Sequence, residues 1–73
     1  MAGMPRHRRL LGEAVRAGRK AAGMSQERLA EKADLSTVFI SRVERGVESP
    51  CVDNVVKIAK ALGMQVRDLV GGF

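Results

Sequence analysis

The sequence predicts an all-α domain, a compact bundle of five helices. Three observations lead there. Apolar residues recur at helical spacing of three and four in successive stretches. Small breaks of Gly, Ser and Asp separate those stretches. Aromatics are limited to Phe39 and Phe73, so Ala, Val, Leu, Ile and Met must supply the core, a composition suited to close helix packing. At 73 residues the chain is one domain, near the lower limit at which a core alone holds a fold.

Residues 1–9, MAGMPRHRR, carry Gly, Pro and clustered Arg without an apolar period, and are expected to form a flexible basic arm ahead of a domain over 10–73. A first amphipathic helix is expected from Leu10 to Ala22. Its stripe is Leu11, Ala14, Val15, Gly18 and Ala22. Gly18 weakens that helix by about 1 kcal/mol relative to Ala and suits a close approach by another helix. Gly23 ends it, and Met24 returns to the core.

Ser25 is an N-cap for a second helix whose small apolar face is Leu29, Ala30 and Ala33. The pattern breaks at Asp34, Leu35 and Ser36. Asp tolerates the left-handed backbone of a tight turn, and Ser36 caps the third helix. From Thr37 to Arg45 only Ile40 and Val43 are inward positions, and Thr37, Val38, Ser41, Arg42 and Arg45 spread over the rest. Hydroxyls, a small apolar group and arginine on an exposed helix face suit base-edge and phosphate contacts in a DNA major groove.

Gly46 closes this third helix, and residues 47–50 form a loop. A fourth helix is expected over Val52–Leu62 from Val52, Val55, Val56, Ala59 and Leu62, ended by Gly63. Its N-cap is either Ser49, with Pro50 at the first helical position, or Cys51. A short fifth helix over Met64–Val70 gathers Met64, Val66, Leu69 and Val70. With Phe73 these residues either complete the core or form a two-fold dimer contact; the dimer is the expectation, since a single short recognition helix reads too few bases to find a site in a genome.

The charge of +5 is unevenly placed. Residues 1–20 hold six basic residues against Glu13, whereas 21–73 are balanced at seven of each sign. Such an end implies a polyanionic partner, nucleic acid before a membrane surface. His7 stands alone in the arm and Cys51 is the single cysteine, so no disulfide, metal cluster or cofactor is expected. Cys51 reads as a small filler rather than a redox sensor. No carboxylate pair or phosphate-binding glycine loop suggests an enzyme. No apolar run is long enough for a signal peptide or membrane span, which makes a cytoplasmic protein the expectation.

One ordered set of residues goes further. Gln26, Ala30, the turn at Asp34, Ile40 and Val43, with Val15, Arg16 and Arg19 upstream, the string ISRVERG and the downstream SPCVDNVVKIAKALG, resembles the phage repressor and Cro-like helix-turn-helix family of the xenobiotic response element type. The likeness covers roughly residues 10–70, and in length the chain is similar to stand-alone restriction-modification controller proteins and small prophage repressors. Many members have Gly where this chain has Asp34.

The resemblance implies a repressor-like fold with the helix-turn-helix at the second and third helices. It also implies an ion pair between Arg19 and Glu44. Ser36, Thr37, Val38, Ser41 and Arg42 would face bases, with Val38 or the Thr37 methyl on a thymine methyl and Arg42 bidentate on guanine. Gln26, Arg45, Lys20 and Arg16 would meet phosphates. Phe39 reads as packing. The implied partners are double-stranded DNA, a second copy of the chain and RNA polymerase, with no small-molecule ligand and no membrane. The expected function is an autoregulatory, sequence-specific regulator on an inverted-repeat operator. The alternative is an antitoxin that masks a toxin and represses their operon.

Overall fold

Two helix starts in this chain are set by a serine, and four helix ends by a left-handed residue. The computed structural model describes residues 3–73 and has, among them, α1 (Arg6–Ala21), α2 (Gln26–Ala33), α3 (Thr37–Glu44), α4 (Val52–Leu62) and α5 (Val66–Val70). Ser25 Oγ accepts the Arg28 N–H and Ser36 Oγ accepts the Phe39 N–H, each at 3.0 Å. Such caps satisfy amides that the first helical turn leaves open.

At the other ends the backbone turns left-handed at Gly23, Asp34, Gly46 and Gly63. The residue after each then donates back into the helix, as in Met24 N–H to Arg19 C=O at 3.0 Å and Leu35 N–H to Ala30 C=O at 2.9 Å. Asp34 is the one non-glycine among the four, with φ 57° and ψ 46°. Its short polar side chain makes that region tolerable, so the helix-turn-helix corner keeps its shape without glycine.

Each helix delivers at least one fully enclosed side chain to a common core: Val15 from α1, Leu29 from α2, Ile40 and Val43 from α3, Ile58 from α4 and Leu69 from α5. Burial of a side chain of this size is worth about 1.5–3 kcal/mol, so no helix is held by propensity alone. Met24 is half-buried against the core, as expected. Small residues set how near the helices come. A Cβ on Gly12 would lie 2.5 Å from the Val43 carbonyl oxygen and 2.6 Å from that of Glu44, so α1 rests directly on the last turn of α3. At Gly18 a Cβ would meet Met64 Sδ at 2.6 Å, so the close neighbour there is a side chain of the α4–α5 connection.

Several boundaries differ from the sequence reading. α1 starts at Arg6 rather than Leu10, because Pro5 precedes it with φ −58° and ψ 143° and accepts the Arg9 N–H at 3.1 Å. The clustered arginines are good helix formers, and they extend α1 through residues 6–9 of the expected arm. Met1 and Ala2 of that arm lie outside the described residues. Ala22 caps α1 and is exposed rather than on its buried stripe. Val52 is 75% exposed, and Ile58 and Ala61 take the inward places on α4. Cys51, not Ser49, is the α4 N-cap, with no side-chain bond, and its thiol is exposed rather than a filler. α5 begins at Val66, after the Gln65 N–H donates to Asp68 Oδ2 at 2.9 Å.

Candidate nucleic-acid interface

α3 is held from behind by charge as well as by its apolar face. Arg19 reaches from α1 to Glu44 at the end of α3, with Nε to Oε2 at 2.7 Å and Nη2 to Oε1 at 3.1 Å. Its remaining nitrogen, Nη1, donates to the Met24 carbonyl at 2.9 Å. Gln26, first residue of α2, donates from Nε2 to Glu44 Oε1 at 3.1 Å. One carboxylate therefore ties α1 and α2 to the end of α3, and Arg19 adds the α1–α2 turn. The side chains of the pair are 12% and 3% exposed. The hydrogen bonds to Glu44 raise the Arg19 pKa further above its ordinary value, against the opposing effect of burial.

This network agrees with the implied Arg19–Glu44 pair and adds Gln26 to it. The amide of Gln26, expected at a phosphate, is already engaged inside the protein through one of its two N–H groups. Its second N–H and its oxygen remain for an outside partner.

The opposite side of α3 is open. Ser36, Val38, Arg42 and Arg45 are exposed, and Thr37 and Ser41 are half-exposed. Val38 is 69% exposed, on the side of the helix away from the buried Ile40 and Val43. Ser36 spends an oxygen lone pair on its cap bond and keeps its O–H free to donate. Phe39 is half-buried and packs against the core, as its packing role predicts. Arg16 and Lys20 on α1 are exposed, and Arg45 makes no ion pair among the described residues.

Arg42 is exposed but not free. Its Nε donates to Glu48 Oε1 at 3.1 Å. Glu48 is a functional candidate that sequence reasoning misses, since it falls in an expected loop. The left-handed Gly46, φ 76°, turns the chain back on α3, and Val47 N–H bonds the Arg42 carbonyl at 3.1 Å. Residue 48 is thereby carried over the side chain of residue 42. The spacing Arg-x₅-Glu across a helix-ending glycine was the available signal.

The chain matches the helix-turn-helix family over residues 15–69. It belongs to that family. Among curated relatives it is 47% identical over 64 residues to the control protein C.BamHI of Bacillus amyloliquefaciens, covering 86% of this chain and 79% of that protein. It is 38% identical to the immunity repressor protein of Bacillus phage phi105, covering 84% of this chain and 42% of that one. Among solved structures it is similar to the restriction-modification controller protein C.AhdI from Aeromonas hydrophila, with TM-score 0.83, 35% identity, and coverage of 85% and 94%. The chain is thus a DNA-binding helix-turn-helix transcriptional regulator of controller-like type and not an enzyme. No helix among the described residues is long and apolar enough to cross a membrane.

One residue expected at a dimer contact needs correction. Leu69, expected at a dimer contact, is 2% exposed and sits in the core of its own chain. A five-residue helix must turn its one large central residue inward to stay attached, which removes Leu69 from any outer surface. Met64, Val66 and Val70 are half-buried and pack on that core. Phe73 folds back toward the start of α1, edge-on to His7 with ring centroids 6.1 Å apart, and its carbonyl accepts from Arg6 Nη1 at 3.1 Å. Between α1, α4 and α5 an apolar groove of about 220 Å³ remains, lined by Leu11, Val52, Val55, Val66, Val70 and Phe73 among others.

Proposed function

We propose that the protein is a sequence-specific regulator that binds an inverted-repeat operator as a homodimer, with α3 in the major groove. The observation that carries this reading is the two-sidedness of α3. Its back is fixed by Ile40, Val43 and the partly buried Arg19–Glu44–Gln26 network. Its front offers Ser36, Thr37, Val38, Ser41 and Arg42, groups that suit base edges in the major groove. In this reading Arg42 contacts guanine, Val38 or the Thr37 methyl packs on a thymine methyl, and Ser41 bonds a base or phosphate. Arg45, Arg16, Lys20 and the free N–H group of Gln26 carry phosphate contacts. Arginines at the start of α1 add non-specific attraction to DNA.

The dimer reading rests on the half-buried Met64, Val66 and Val70, the exposed Phe73, and the groove that Val66, Val70 and Phe73 border. A second copy on that face would place two recognition helices for half-sites about one helical turn apart. The restriction-modification controller named among its structural relatives supports a stand-alone regulator, and we read the chain as controlling its own gene in the cytoplasm by blocking or recruiting RNA polymerase.

The test is selection of binding sites from randomised duplexes, followed by sedimentation of the complex. An inverted repeat with two chains bound and a preference over random DNA of about a thousandfold is the expected outcome. Enrichment of no sequence, or one chain per selected site, would refute the respective part of the proposal.

A further inference from the structure

We infer that Glu48 is a positioning residue for base reading by Arg42, and so a determinant of DNA specificity outside the recognition helix. The inference rests on the reading of Arg42 as a base contact and concerns what holds that side chain before DNA arrives.

The geometry is specific to the atoms involved. Glu48 takes the Nε–H of Arg42, at 3.1 Å, and no other hydrogen bond of the Arg42 side chain is found among the described residues. A guanidinium has five N–H groups, and engagement at Nε leaves the four on the terminal nitrogens. Those terminal groups form the fork that matches guanine O6 and N7. Glu48 thus occupies the one nitrogen that an end-on guanine contact does not need.

It also fixes the direction of approach. An arginine side chain in solvent samples many rotamers, and ordering it on binding carries an entropic cost. The tether begins from a closed turn, with Gly46 at φ 76° and the Val47 N–H bonded to the Arg42 carbonyl. Residue 48 is therefore delivered by backbone hydrogen bonding to the same helix end that carries Arg42.

Charge separates the two arginines at this end of α3. Arg42 is 47% exposed and its partner 29%, so the carboxylate lies at the surface beside the recognition helix. Negative charge there opposes phosphate and lowers the attraction that Arg42 would have for any duplex. Arg45, one turn-step further on and without an ion pair among the described residues, keeps its full charge for the backbone. The arginine assigned to a base is matched by a carboxylate, and the arginine assigned to phosphate is not. The pair trades general affinity for discrimination.

The experiment uses the full chain and the site that wild type selects from randomised duplexes. Wild type, Arg42→Ala, Glu48→Ala, Glu48→Gln and the double variant Arg42→Ala/Glu48→Ala are measured on that site, on the site changed at single base pairs, and on a random duplex across a salt series. The base pair read by Arg42 is the one where Arg42→Ala loses about 5- to 150-fold discrimination. At that pair Glu48→Ala is expected to lose at least about fivefold, while random-duplex binding rises and its salt slope steepens by about one per chain. Glu48→Gln keeps an acceptor without the charge, so it should retain more discrimination than Ala while still binding random DNA more tightly. In the Arg42→Ala background, removal of Glu48 should change discrimination by less than about twofold, since coupled residues lose their effect together.

A merely structural role would not single out one base pair. Equal gains on selected and random DNA, with discrimination unchanged, would mean that Glu48 only repels phosphate and would overturn the inference. So would a loss of discrimination that persists undiminished without Arg42. If Arg42→Ala itself leaves discrimination intact at every base pair, the base-contact reading fails first, and the inference falls with it.

Discussion

Two arginine–glutamate pairs involve α3, and they differ in everything except composition. Arg19–Glu44 is almost enclosed, bidentate at 2.7 and 3.1 Å, and supplemented by bonds to the Met24 carbonyl and from Gln26. Arg42–Glu48 is a single bond at 3.1 Å between half-exposed side chains. The first joins three helices, and the second joins a helix to the loop after it. Burial decides what each can do. A charge pair removed from water cannot be opened without stranding its partner, so it works as a fixed brace. An exposed pair contributes little to stability, so it can steer its arginine toward a base edge without fixing the fold.

The most severe way to break this comparison is Arg19→Ala. It leaves the Glu44 carboxylate, 3% exposed, with Gln26 as its one remaining side-chain donor. We expect a loss of about 3–5 kcal/mol, or a fall in Tm of more than about 12 °C for a domain of this size, by thermal unfolding. Removal of Glu48 by Glu48→Ala should change stability by less than about 1 kcal/mol in the same assay. Similar costs for the two would erase the distinction.

A second substitution sharpens the contrast between brace and outer surface at the other end of the molecule. Leu69→Ala removes a side chain that is 2% exposed in the single chain, and should cost about 2–5 kcal/mol whether or not copies associate. Phe73→Ala should affect association more than stability, because Phe73 is half-exposed and its backbone bonds to Arg6 and Val70 survive the substitution. Unfolding at several protein concentrations separates the two effects.

A smaller effect belongs to Asp34→Gly. The backbone there is left-handed at φ 57°, which Gly adopts freely, although Gly also enlarges the unfolded ensemble. Stability should stay level or rise by up to about 1 kcal/mol. A fall beyond that would show that the Asp34 side chain itself contributes at the corner.

Much of the fold is legible in the sequence because it depends on local chemistry. Ser25 and Ser36 announce the starts of α2 and α3, and both act as caps. Gly23, Gly46 and Gly63 mark helix ends, and all three have positive φ. Asp34 is expected in a left-handed turn from its side chain alone. The Arg19–Glu44 pair comes through family likeness, since nothing in the spacing of two such distant residues fixes a contact. The start of α1 is hidden because Arg6–Arg9 have helix propensity but no apolar period. Leu69 is misplaced because a helix as short as α5 has too few residues to say which side faces in. Glu48 is missed because its partner lies across a glycine turn, where helical periodicity gives no register.

We read α3 as a braced helix whose open side reads DNA through Arg42. The most direct test of this reading is Arg42→Ala, with binding to the selected site and to a random duplex measured beside thermal unfolding. A braced reading helix predicts that discrimination falls by about 5- to 150-fold while random binding and Tm hold nearly steady. Parallel loss on both duplexes would make Arg42 a phosphate contact and contradict it.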